Sequence, residues 1–264
     1  MTPNRLRWGA LAWLLTLQFF VVETIAQARY EGAYSRADDV ISDLGASDSA
    51  AHQLMNASFV VQAGLILAGA LLLRPVLLRS AGQVAPVLLG AAAAGVLLVG
   101  VFPSDCNALV HAIGAVAYLV GGGLGLIALA YAVRPRSEIL GTTLALLGLV
   151  GTAATVFFVT GVTEYLGEGG TERVAAYVLP IGLALAGAAL WRLGRLPDGD
   201  TRLSRREERE LARTEQADRA RRRDAALEAA VSRPAADGTS ADAGVPPDED
   251  DDRDPWAATP RRAD

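Results

Sequence analysis

Lysine is absent from this chain of 264 residues, cysteine occurs once and histidine twice. Every fixed cation is therefore an arginine, which reads as the coding habit of a GC-rich genome rather than as recognition chemistry. The lone Cys106 excludes an intrachain disulfide and a thiolate metal cage, since each needs more than one sulfur. No G-x-S-x-G, H-E-x-x-H or paired-histidine cluster is present. The composition thus offers no ready nucleophile, and no cofactor or bound metal is expected.

What the chain does have is distributed very unevenly. Hydrophobic residues make up 52% of it, yet the apolar character is concentrated before residue 195. Residues 1–195 hold eleven Arg against eleven acids, whereas 196–264 hold thirteen Arg against eighteen, so the whole net charge of −5 belongs to the tail. Two parts follow: a transmembrane domain over 1–195 and a charged tail over 196–264.

A helix crosses a hydrocarbon core of roughly 30 Å with about 20 residues. Six apolar runs meet that length approximately, at 8–25, 56–73, 84–102, 108–133, 139–163 and 174–193. Lipid offers no partner to an open backbone group, so each run must be helical. The expected fold is all-α, a six-helix transmembrane bundle. Arg5 and Arg7 precede span one, Arg74 and Arg79 follow span two, Arg134 and Arg136 follow span four, and Arg192 and Arg195 follow span six. Positive charge collects on the retained side, which places both termini in the cytoplasm of a plasma-membrane protein. Arg5, Arg7, the first apolar run and Ala26-Gln27-Ala28 imitate a cleavable signal peptide. Glu23 and Thr24 interrupt the approach to that cut and the run is long for a signal core, so retention of span one is expected.

Small residues crowd spans three to five, with Ala117, Gly121 and Gly125 at four-residue steps, a spacing that lets helix backbones approach closely. Pro75, Pro86, Pro103 and Pro135 sit at or near span ends, where a missing N–H matters least. In the tail, Ser204-Arg205-Arg206-Glu207 fits a capping box opening a helix over about 204–231, with Glu215–Arg219 and Asp218–Arg222 as supporting pairs. Leu203, Leu211, Leu227 and Val231 are too sparse for a buried stripe, so a solvated single helix is expected. The Pro-, Asp- and Gly-rich stretch beyond Pro234 is expected to be disordered. A net acidic tail without interleaved aromatics argues against nucleic acid as a partner.

The sharpest pattern is the side on which polar residues fall. Glu23, Asp43, His52, Asn56, Asp105, Asn107, His111 and Glu164 lie at outer span ends or in outer loops, while inner ends carry mainly Arg. Topology explains the Arg but not this collection. Ionisable groups near membrane depth usually face a bundle interior or a wet cavity. Glu23, Asp43, Asn56, Asp105 and His111 are therefore the expected ligand-binding residues. Each also has a structural reading. Asp105 or Ser104 can cap span four. Gly45 can close a short helix in a left-handed conformation, with Ser47 or Asp48 capping the next segment. His111 can be an interhelical hydrogen-bonding residue, and Asp105 and His111, roughly 600° apart on a helix, share a face only if Asp105 sits in an irregular approach. His52 and Asn56 share a helical face but make a poor metal site. Glu23 has no cation within its own turn and needs a partner from elsewhere.

Ile41-Ser42-Asp43-Leu44-Gly45-Ala46 after a first span, then Phe102-Pro103-Ser104-Asp105 and His111, resemble the membrane family called domain of unknown function 998, over residues 1 to about 195. The resemblance implies a six-helix bundle in a prokaryotic plasma membrane, carries over Asp43, Asp105 and His111 as signature positions, and implies no activity.

Three functions are open to such a chain. The first is a binding or transport-like module with a polar site on the extracytoplasmic side, holding a small molecule, proton or lipid headgroup. The absence of a matching inner polar set and of an inverted repeat counts against full alternating access. The second is a structural or regulatory membrane protein acting through a cytoplasmic protein partner of its tail. The third is a membrane-embedded hydrolase in which His111 is base or metal ligand and Asp43 or Asp105 orients it.

Overall fold

The computed structural model describes residues 3–78, 80–193 and 205–231. Among these, all regular structure is helical, and six segments are long and apolar enough to cross a membrane: Asn4–Ala28, His52–Val76, Ala81–Val101, Ala108–Val133, Glu138–Thr160 and Glu168–Arg192. The first span is two helices, α1 (Pro3–Leu15) and α2 (Gln18–Ala28). The others are α3 (His52–Leu73), α4 (Ala81–Val101), α5 (Ala108–Val133), α6 (Glu138–Thr160) and α7 (Glu168–Leu193). The six-helix transmembrane bundle expected from the apolar runs is what the chain forms. Trp13, Leu44, Leu126, Leu144 and Leu183 are fully buried in its core. Val87, Ile113, Leu149 and Val159 point outward, as a lipid-facing surface requires.

Several boundaries differ by a few residues from the sequence reading. Span one runs on to Ala28, span two starts at His52, and span six starts at Glu168 rather than 174. The last difference matters most, because it puts Glu168, Glu172 and Arg173 on a helix instead of in a loop. Charge alone marked those residues as loop; the helix keeps Glu172 and Arg173 because both find partners, and Glu168 stays exposed.

Close helix approach has the expected origin. A methyl at Gly121 would lie 2.9 Å from Ala92 N and Leu88 O, so α4 and α5 meet backbone to backbone along the small-residue stripe. At the end of the bundle carrying the 77–80 and 134–137 loops, Arg5 donates from Nε to Leu72 O (3.1 Å) and from Nη2 to Leu71 O (3.0 Å), covering carbonyls that α3 leaves open. We call this the arginine end and the other, carrying 29–51, 102–107 and 161–167, the acidic end.

Pro180 interrupts α7 at the centre of its span and deprives the Ala176 carbonyl of its helical N–H. The Tyr118 hydroxyl on α5 donates to that oxygen at 3.1 Å. In a bundle core an open carbonyl has no solvent to turn to, so Tyr118→Phe is expected to lower the unfolding free energy by about 1–3 kcal/mol. A thermal melt of the purified protein in detergent checks this.

The second unit of the chain begins at Glu210. The helix α8 spans Arg205–Val231, its described side chains from Arg213 to Ala225 are exposed, and Glu215 and Arg219 pair at 3.5 Å. Ser204, expected from the sequence as the cap, and the acidic stretch beyond Pro234 lie outside the described residues.

Candidate functional site

Glu23 sits in the penultimate turn of α2 with 1% of its side chain exposed. A carboxylate that deep needs charge and hydrogen bonds together. Arg173, two turns into α7, donates from Nε to Glu23 Oε1 at 3.0 Å, and Gln27 donates to the same oxygen at 3.0 Å. The Tyr177 hydroxyl, one turn beyond Arg173, donates a short bond to Oε2. Arg36 reaches both, at 3.8 Å from Glu23 Oε1 and 2.7 Å from the Tyr177 hydroxyl.

The rest of the Arg173 guanidinium binds the connection between α2 and α3. Its Nη1 donates to Arg36 O and Asp39 O, both at 2.8 Å, and to Gly169 O at 3.1 Å; its Nη2 donates to the Tyr34 hydroxyl. Tyr34 passes the bond on to Val40 O at 2.9 Å, and its ring centroid lies 5.5 Å from the guanidinium carbon. Burial pushes the Tyr34 phenol up to about 12 against the pull of Arg173, which keeps it a neutral donor and acceptor. Every guanidinium nitrogen is engaged, so this pair works as an anchor rather than as a free cation.

The connection itself is folded by local rules. Asp39 accepts from Ser35 N at 2.7 Å and its own N–H returns to Ser35 O at 2.8 Å, a reciprocal pair that closes the turn. The glycines before Glu172 let this turn lie directly on α7. Gly170 N donates to Ala37 O at 2.8 Å, and a methyl at Gly169 would stand 2.0 Å from Asp39 O. Ile41–Gly45 then forms a 3-10 turn whose Ile41 and Leu44, eclipsed at three-residue spacing, both enter the core. Ile41 N is held by Glu172 Oε2 at 2.5 Å.

Gly45 is not in the left-handed region; the described glycines with positive φ are Gly32, Gly161 and Gly167. Its requirement is space. A methyl there would lie 2.4 Å from Asn56 Oδ1, while Asn56 Nδ2 donates to Gly45 O at 2.9 Å. Neither Ser47 nor Asp48 caps α3, which starts after Ala51 without a side-chain cap. Ser47 N instead donates to Asp105 Oδ2 at 3.0 Å across the acidic end. Asp105 is therefore not the cap of α5; Asn107 takes that place through Val110 N at 3.2 Å. Hydrogen bonds from Ser47 hold the exposed Asp105 carboxyl below the usual aspartate range. His111 is buried and bonds through Nδ1 to Phe102 O at 3.0 Å, closing the approach to its own helix. A carbonyl only accepts, so Nδ1 carries the proton there. His52 does the same to Ser49 O at 2.7 Å.

The five candidate residues thus fall into separate settings. Glu23 belongs to the Arg173 anchor; Asn56, Asp105 and His111 each tie a loop of the acidic end. Asp43 stands between, half-buried. Its carboxyl is pushed up first by burial and then by Asp39, Asp48 and Glu168, with Val40 opposing. Among the described residues, no hydrogen bond or ion pair joins any two of Asp43, Asp105 and His111, and no group of three or more His, Cys, Asp or Glu side chains is arranged to hold a metal. The hydrolase reading finds no dyad in that geometry. Sequence reasoning missed Arg173, Tyr34, Tyr177 and Glu172; the signal that could have found them was Glu23 itself, a membrane-depth acid without a local cation.

Six apolar spans with one polar, loop-covered end define a multi-pass membrane protein. The chain belongs to the family described as Protein of unknown function (DUF998), whose model matches residues 14–191. Searches of curated proteins and of solved structures found no match.

Proposed function

We propose that the chain is a plasma-membrane binding module, both termini cytoplasmic, whose acidic end faces outward and receives a small ammonium-bearing ligand, free or as a lipid headgroup. The observation that carries this is the setting of Asp43. Its half-buried carboxyl feels Asp39, Asp48 and Glu168, all of one sign, while Arg173 is fully engaged elsewhere. A cation relieves that field and an anion does not. Tyr30, whose ring lies tilted against that of Tyr34 at 5.1 Å and which feels the charges of Asp48, Asp43 and Asp39, supplies an aromatic face suited to an ammonium group. The outward orientation rests on the arginines at the other end.

Choline titrated calorimetrically into the full-length protein in lipid nanodiscs tests the reading, with phosphatidylcholine-free nanodiscs so that no headgroup competes. Saturable binding that Asp43→Asn weakens at least about tenfold, equivalent to about 1.4 kcal/mol, is the expected result. No saturable binding, or equal binding by Asp43→Asn, contradicts it.

A further inference from the structure

The outer surface of α4 and α5 is not flush. A groove of about 560 Å³ runs between the two helices, lined by Ala91, Ala112 and Ala117 with Leu88, Ile113 and Val120 beside them. Its volume falls inside the range of roughly 300–1,000 Å³ found for sites that hold small ligands. The cause is the close approach beneath it. A methyl at Gly95 would stand 2.5 Å from Gly114 O, and one at Gly114 would stand 2.8 Å from Gly95 O, so the backbones meet there. Alanine side chains are too short to fill the furrow above that contact, whereas Ile113, Val116 and Val120 project past it as exposed side chains.

The lining is apolar, so water gains no hydrogen bond in the groove. Inside a bilayer the space is filled by an acyl chain or by another helix. Two observations favour the chain. The small residues that draw helices together, Gly114, Gly121 and Gly125, already face α4 at Gly95, Ala92 and Leu89. The lined stretch of α5, residues 112–121, also rises only about 14 Å, which is the depth of one leaflet of a core roughly 30 Å thick. Toward the arginine end the exposed Val84 and Val87 on α4 and Leu124 on α5 project instead. A partner helix would have to continue across them, and an acyl chain ends with its leaflet.

The 102–107 connection joins the same two helices at the acidic end, and it carries Asp105. Within residues 80–133 this is the sole Asp, Glu, Arg or Lys. Its carboxyl is exposed, and hydrogen bonds from Ser47 hold it below the usual aspartate range, so it is ionised at neutral pH. A headgroup with an ammonium meets an opposite charge there, while one with only its phosphate meets a like charge. We propose that the groove binds one acyl chain of an ammonium-bearing phospholipid, with Asp105 facing the headgroup. This site does not rest on the reading of Asp43.

The test uses the full-length protein in nanodiscs that contain phosphatidylethanolamine or phosphatidylglycerol with a photoreactive diazirine in the acyl chain, and maps the adducts by peptide mass spectrometry. Adducts from phosphatidylethanolamine are expected to concentrate on residues 88–91 and 112–121 and to exceed those from phosphatidylglycerol there. Ala91→Phe fills the furrow from an exposed position and is expected to remove them, with Ala112→Phe as the second filling variant if the first does not fold. Val159→Phe, exposed on α6, is expected to leave them in place. Asp105→Asn is expected to level the two lipids, whereas mere loosening of the Ser47 contact leaves the preference between them intact. Asp43→Asn, which weakens choline binding, is expected to change neither lipid. Adducts spread evenly over the outward faces of all spans overturn the proposal, as do adducts that persist in the filling variants or equal labelling by the two lipids in the wild type. A dimer of the chain that Ala91→Phe dissociates also overturns it, because a second copy then occupies the groove.

Discussion

Replacing Arg173 by Met is expected to destabilise the bundle by about 3–5 kcal/mol, the range for removing one partner of a buried ion pair. The physical reason is the burial of Glu23, whose side chain is 1% exposed and would be left with only the Tyr177 and Gln27 bonds and the more distant Arg36. The loss has a second part. Arg173 also holds the carbonyls of Arg36 and Asp39 and the Tyr34 hydroxyl, so the connection between α2 and α3 comes free with it. A thermal melt in detergent reads the total, and hydrogen exchange at Ile41 and Leu44 reads the second part. Removing the acid together with the base separates the two. Glu23→Gln with Arg173→Met leaves no unpaired buried charge, so the double variant should melt above Arg173→Met alone while the connection stays loose.

Gly95→Ala is the second large effect. The added methyl would lie 2.5 Å from both Gly114 O and Tyr118 N, backbone atoms that no side-chain rotation can move. The helices α4 and α5 must separate, which costs about 1–3 kcal/mol for overpacking, and the shift reaches Tyr118 and its bond to Ala176. Gly64, with nothing within 4 Å of its absent methyl, is the control. Gly64→Ala should melt at or above the wild type because alanine favours the helix by up to about 1 kcal/mol. Equal midpoints for the two variants would contradict backbone contact between α4 and α5 at Gly95.

The spans were legible because lipid leaves an apolar run of that length only one backbone solution. Their ends were less so. Span six was read as starting after Arg173 because charges look like loop; the missing information was that Glu23, some 150 residues earlier in the chain, neutralises that arginine. The break between α1 and α2 at Thr16 carried no proline or glycine and so no local mark; the Thr16 hydroxyl lies against Pro180 O on another helix, a contact that spacing does not encode. The Ile-Ser-Asp-Leu-Gly motif was recognisable as a signature, but its reasons are tertiary. Ile41 and Leu44 fill the core, and Gly45 makes room for Asn56. Asp105 and His111 were correctly assigned to the same end as Asp43, yet their bonds go to Ser47 N and Phe102 O, pairings that spacing along the chain does not encode.

The most direct measurement of the proposed site is the titration of the Asp43 carboxyl, followed by 13C NMR with and without choline. Burial and the acids Asp39, Asp48 and Glu168 raise its folded-state value above the ordinary aspartate range. The protonated form is then the one the fold favours: the stability it lends is complete below the unfolded value and is lost as pH rises through the folded one. A bound ammonium group opposes that loss and draws the titration back down. The expected result is a carboxyl that titrates above an ordinary aspartate and moves lower when choline is added. A carboxyl that titrates at or below the ordinary value, unmoved by choline, would contradict the binding site at its centre.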